Sequence, residues 1–264
     1  MRHLQYSDIL KAEALVVERT QVRVSPWMSK FTECVDLIIA LGYFFDHGVP
    51  ADMETPEDWV FHFIYEKYLD APHSLHACNV LMGKGSYLPA LVQVRSSLDA
   101  VVSCRYFHEH PKQLRPYQRK QRDLIDGKNK WLGSKEIYSS YSSVYYEKYY
   151  GDFLSSLTHG KSGPGSFRVQ RTSRTEGRVI MVPEFDLRLA FSVINMLVPI
   201  IYAYLHHWPV FFKGRIIDLR PDLEAKRQTL EQWVVQYQCS QLKKHPKMKE
   251  FIRETNALIG LIDI

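Results

Sequence analysis

Arg95 and Asp99 stand four residues apart in a segment where Leu88, Leu91, Leu98 and Val102 recur at helical spacing. Arg95 falls inside that apolar stripe. A guanidinium on an apolar helix face is costly unless paired, and a carboxylate one turn on supplies part of the pairing. Two outcomes stay open at this point. The pair is an intramolecular tie that fixes helix register, or it is the centre of an active or ligand-binding site. Ser155 and His159 form a second i,i+4 pair, in Leu154-Ser-Ser-Leu-Thr-His159-Gly160. Gly160 suits a left-handed helix cap, and the helix dipole there favours a charged imidazole. His159 therefore reads as a capping residue or as a general acid–base. Ser155 has no G-x-S-x-G elbow around it and is placed among substrate-binding groups rather than nucleophiles. On a phosphodiester substrate, Arg95, Arg105 or both would stabilise developing phosphorane charge, and His159 or His110 would move protons.

Charge points the same way. The chain has 264 residues and a net charge of +5, unevenly spread. Residues 111–135 carry +6, from eight Lys/Arg including Lys112, Arg115 and Arg119. Residues 161–178 carry +4, with Lys161, Arg168, Arg171, Arg174 and Arg178 against Glu176. The remainder is therefore acidic, and the two basic segments fit an RNA or other polyanion partner. The arginines of the second segment are placed as substrate-binding residues.

Other chemistry is thinly represented. There is no H-E-x-x-H, P-loop or G-x-G-x-x-G. The four Cys are far apart, which excludes a disulfide scaffold and a Cys-based zinc site. No metal and no cofactor is expected. Phe191–Phe212 lacks Asp, Glu, Lys and Arg and is long enough to span a bilayer. It contains Asn195, Pro199, Pro209, His206 and His207, so a buried core helix is expected and no membrane contact. The N-terminus lacks an apolar signal region, and with unpaired Cys this predicts a cytoplasmic protein.

The elements that must position these residues are helices. Ser25-Pro26-Trp27 opens one, and Thr55-Pro56-Glu57-Asp58 opens the next with a Thr cap, Pro at N1 and acids in the first turn. Asp70-Ala-Pro72 predicts a break, followed by a short helix over 73–82 that ends at Gly83-Lys-Gly85. A long helix runs 86–110 to Pro111, and a basic helix covers 111–126. A Tyr-rich helix covers 134–157, with Tyr138, Tyr141, Tyr145 and Tyr149 on one stripe expected to be core. Residues 160–177 predict a mobile loop, 178–181 a short extended segment, and 183–205 and 221–240 two more helices. The tail over 251–264 predicts a short last helix or docked end. The expected fold is all-α, a single bundle of about seven to nine helices with a basic loop near 160–178. Residues 1–24 are an N-terminal extension and 25–264 the helical domain.

These residues carry two resemblances. Leu91, Arg95 and Asp99, followed about sixty residues later by Leu154, Ser155 and His159, resemble a family of bacterial helical domains of unknown function. The likeness covers roughly Phe31 to Tyr204, and Asp99 stands where that family usually has Glu. Arg105-Tyr-Phe-His-Glu-His110 is similar to the R-x4-H motif of HEPN ribonucleases. That resemblance implies an all-α effector of a bacterial defence or toxin system, a homodimer that cuts RNA without metal. In this chain the residue after the Arg is Tyr106, where that family usually has a polar one. The alternative is a non-catalytic helical module that binds a protein partner or ligand, with Arg95, Asp99 and His159 as a structural network.

Overall fold

The Thr55 cap forms as its sequence demands. Asp58 N donates to Thr55 Oγ1 at 3.2 Å and Thr55 N donates to Asp58 Oδ2 at 3.1 Å, a reciprocal capping box. It starts helix α2, Pro56–Gly83. The computed structural model describes residues 5–43, 54–125, 134–154, 169–171, 177–179, 183–213 and 220–261. Before α2 lies α1, Tyr6–Tyr43, kinked at Val24 (φ −123°, ψ 18°) where the Ser25-Pro26 start begins a new helical run. The extension is thus helical from Tyr6, and Val16, Thr20 and Val24 are buried. The chain continues through α3 (Tyr87–Glu109), a 3-10 turn (Pro111–Gln113), α4 (Leu114–Ile125) and α5 (Ser134–Ser139). A π-helix counted as α6 (Tyr145–Leu154) follows, and later α7 (Leu187–Phe211), α8 (Pro221–Lys244) and α9 (Lys249–Ile259). The architecture is an all-α bundle.

Helices α2 and α3 form a hairpin joined by Lys84–Ser86, and this is the most extensive helix pairing in the fold. The hairpin packs on α7, which also meets α1, α8 and α9. Central position explains composition. Leu197, Ile201, Leu205 and Trp208 of α7 are fully buried. This helix is long and apolar enough to cross a membrane by length and composition, and in this fold it lies at the middle of the bundle. Helix α3 is buried almost all round, at Leu91, Val94, Leu98, Val101 and Cys104. Its neighbours therefore cover far more than the one stripe that spacing predicts.

Several expected boundaries move. Pro72 does not end a helix, and α2 runs through it to Gly83. The proline removes one N–H, yet Tyr68, Ala71, Leu75 and Cys78 keep a continuous buried face on both sides. Likewise α7 passes Pro199 and Pro209 and ends at Phe211 rather than near 205. It starts at Asp186, whose side chain accepts from Arg188 N at 2.8 Å and Leu189 N at 3.2 Å. The single Tyr-rich helix is in fact two pieces, α5 and the π-helix α6. Inside the expected loop β1 (Val169–Arg171) forms, and it pairs antiparallel with β2 (Gly177–Val179), which overlaps the short extended segment expected over 178–181, Val169 opposite Val179. Residues 155–168 and 172–176 of that segment lie outside the described residues.

Candidate functional site

Arg95 is buried, with 7% of its surface exposed. Its Nε lies 3.8 Å from Asp99 Oδ2, an ion-pair distance longer than the hydrogen bond the spacing predicts. The guanidinium instead donates from Nη2 to the Tyr150 hydroxyl at 2.7 Å, with its carbon 4.6 Å from the Tyr150 ring centre. Asp99 is held from the other side: the Tyr138 hydroxyl donates to Oδ1 at 2.6 Å. The Tyr150 hydroxyl stands 3.5 Å from Oδ2. Arg95 and Asp99 of α3, Tyr138 of α5 and Tyr150 of α6 thus form one network.

Backbone geometry selects these tyrosines. In a π-helix hydrogen bonds close i→i+5, so the inward face recurs every four to five residues. Tyr145, Tyr150 and Leu154 of α6 are buried, while Tyr149 packs half-buried against Phe251. An α-helical stripe would have put Tyr149 inside and Tyr150 out. Gly151 suits the wide turn, since a Cβ there would sit 3.1 Å from the Tyr146 carbonyl oxygen.

Burial pushes the Asp99 carboxyl above the ordinary carboxylate range, against the opposing pull of Tyr138 and Arg95. The side chain nonetheless keeps 36% of its surface accessible. Asp99 is a recessed group with one edge open. Asp99 is among the residues that line a cleft of about 360 Å3, with Lys67 and Asp70 of α2 on one wall, Ser96 and Ser103 of α3 on the other, and Tyr117 of α4 and Tyr204 of α7 completing the lining. Among the described residues, no group of three or more His, Cys, Asp or Glu side chains could hold a metal ion.

Arg105 belongs to a separate cluster. Its Nη1 donates to the carbonyls of Ala257 (2.6 Å) and Leu258 (3.0 Å), and its Nε donates to Glu109 at 2.9 Å. The guanidinium lies 3.8 Å over the Tyr141 ring centre, and the Tyr141 hydroxyl donates to Glu109 at 2.7 Å. Burial pushes the Glu109 carboxyl up, but Tyr141 and Arg105 outweigh it and hold it below the usual range. His207 Nε2 meets the Ile259 carbonyl at 2.5 Å. Burial drives His207 down to about 4, so the ring is neutral and donates. Gly260 ends α9 in the left-handed region (φ 77°), and a Cβ there would lie 3.0 Å from Arg105 Nε. Arg105 and His207 therefore clasp the C-terminal end of α9. His110 is exposed at the end of α3, its ring 4.8 Å from that of Tyr106.

Of the remaining expected site residues, Arg171 lies in β1. Ser155, His159, Lys161, Arg168 and Arg174 lie outside the described residues, and with them the expected meeting of Arg95 and His159. The sequence reading missed Tyr138 and Tyr150 as partners: the π register turns Tyr150 inward, and Tyr138, expected as core, meets Asp99 across 39 residues that no local spacing links. It also missed a second buried arginine, Arg227, which bonds Glu224, Glu231 and the Leu205 carbonyl and so ties α8 to α7. Its signal was visible: Glu224, Arg227 and Glu231 follow i,i+3 and i,i+4 spacing.

The basic helix α4 presents Lys112 in the turn before it, Arg115 and Arg119 at exposed positions, anchored by buried Leu114. Arg115 stacks 4.0 Å over the Trp59 ring centre. Among the described residues no carboxylate pairs with any of the three.

Fold and site together define an all-α bundle with a buried Arg–Asp–Tyr network opening on a polar cleft. No protein-family model, curated protein or solved structure matches this chain.

Proposed function

We propose that the protein is a helical ligand-binding module, in which Arg95, Tyr138 and Tyr150 position Asp99 at the wall of the α2–α3 cleft. The observation that carries the reading is that Asp99 belongs to both the buried network and the cleft. A cleft of this size falls within the ~300–1,000 Å3 common for small-molecule sites. Arg95 is turned away toward Tyr150, which suits positioning better than contact with a substrate. The test is a thermal-shift screen of small polar fragments on the full chain and on Asp99→Asn. Fragments that raise the melting temperature of the wild type and not of Asp99→Asn are expected. A screen with no such fragment contradicts the reading.

A second reading, nucleic-acid binding with metal-independent RNA cleavage, draws support from the exposed Lys112, Arg115 and Arg119 of α4 and the turn before it, and from the Arg105–His110 spacing. Cleavage through Arg105 would require its release from the α9 carbonyls. Incubation of pure protein with labelled RNA, with and without EDTA, decides it: cleavage in EDTA that is lost in His110→Ala supports this reading, and intact RNA removes it.

A further inference from the structure

We propose that the cleft between α2 and α3 takes a small organic cation that carries N–H donors, a primary amine or a guanidinium, seated against Asp99 Oδ2. The inference rests on the ligand-binding reading and names its ligand class. Oδ1 of Asp99 is occupied by the Tyr138 hydroxyl at 2.6 Å. Oδ2 has no partner closer than 3.5 Å among the described residues: Tyr150 stands at that distance and Arg95 Nε at 3.8 Å. A carboxylate oxygen can accept two hydrogen bonds, so Oδ2 keeps acceptor capacity beyond its long contact to Tyr150. The Arg95 guanidinium is buried and gives Nη2 to the Tyr150 hydroxyl rather than to Oδ2.

The rest of the cleft fits a cation. Asp70 on the α2 wall supplies a second carboxylate, and Ser74, Ser96 and Ser103 supply hydroxyl acceptors for further N–H groups. Lys67, the cation in the lining, has its ammonium 5.5 Å from the Phe63 ring centre. Phe63 and Tyr117 offer ring surface for an apolar or aromatic body on the ligand. An anion would meet two carboxylates and one lysine. A quaternary ammonium would carry the charge but bring no donor for Oδ2. A charged donor makes the stronger bond to a carboxylate than a neutral amide does.

Isothermal titration of the full chain with benzylamine and with agmatine tests this, against benzyltrimethylammonium, benzoate and inorganic phosphate. Saturable one-to-one binding of an amine is expected, with benzyltrimethylammonium weaker than benzylamine by about tenfold or more, the worth of a hydrogen bond to a charged group. Asp99→Asn should weaken the amine by a similar factor. Because Asp99→Asn disturbs the network, Asp70→Asn is the second variant; it is exposed, should fold as the wild type, and should weaken the amine by a smaller factor. Equal binding of benzyltrimethylammonium, indifference to both variants, or no binding of either amine overturns the inference. Binding of benzoate or phosphate alone, sensitive to Asp99→Asn, overturns the ligand class and leaves the ligand-binding reading standing.

Discussion

Replacing Tyr150 with Phe removes one oxygen from the centre of the network and keeps the ring. The Arg95 Nη2 bond of 2.7 Å is lost, and the weaker contact to Asp99 Oδ2 with it. The cation–π contact at 4.6 Å survives. A hydrogen bond from a buried charged donor is worth about 1.5–3 kcal/mol, and the donor left behind is 7% exposed, with little water to replace the lost partner. At ~2–4 °C per kcal/mol for a chain of this size, the melting temperature should fall on the order of 3–12 °C. Tyr149→Phe is the control. Its ring packs half-buried on Phe251, and it should stay within about 0.5 kcal/mol of wild type. Urea unfolding followed by circular dichroism, with unchanged m-values, measures both. Equal small effects, or a larger cost at Tyr149, would refute the π register and the network built on it.

Arg105→Gln should detach the end of α9, which leaves two carbonyls without their guanidinium donor, at about 1–3 kcal/mol. Amide exchange should speed up over Lys249–Ile259 more than in α8, and uniform exchange would contradict the clasp. His207 gives a pH signature. Its folded value of about 4 lies below the ordinary 6.5, so the unfolded chain takes up the proton first. Stability is full above about 6.5, falls as pH drops toward 4, and this loss stops below that; the whole effect is at most about 3 kcal/mol. His207→Gln should flatten that part of the stability curve, and an unchanged slope between pH 6.5 and 4.5 would refute the assignment. Changing Lys112, Arg115 and Arg119 together to Gln should weaken any single-stranded RNA binding and lower the slope of log K against log salt by about 2, at ~0.7 per phosphate contact. An unaltered slope would place the RNA contact elsewhere.

Helix starts were readable because their signals are local. Thr55-Pro56 and Pro221 each occupy the start their chemistry specifies, and Pro111 lies just past the end of α3. Arg95 was readable as a buried charge because it falls within the stripe of Leu88, Leu91, Leu98 and Val102. Prolines misled where tertiary packing outweighed local loss: α2 survives Pro72, and α7 survives two prolines, because buried faces continue past them. The π register was invisible to a reading at 3.6 residues per turn, and so Tyr149 stood on the expected stripe in place of Tyr150. Arg105 was read only through its spacing to His110. Its partners Ala257 and Leu258 lie some 150 residues away, and no local pattern announces a carbonyl clasp.

The central claim is that ligand is held at the open edge of Asp99 in the α2–α3 cleft. Amide chemical-shift mapping of the full chain on addition of benzylamine tests it most directly. The account predicts shifts concentrated at Ser74, Ser96, Asp99 and Ser103, saturating together and absent in Asp99→Asn. Shifts confined to α4, or scattered over the surface without saturation, would contradict it.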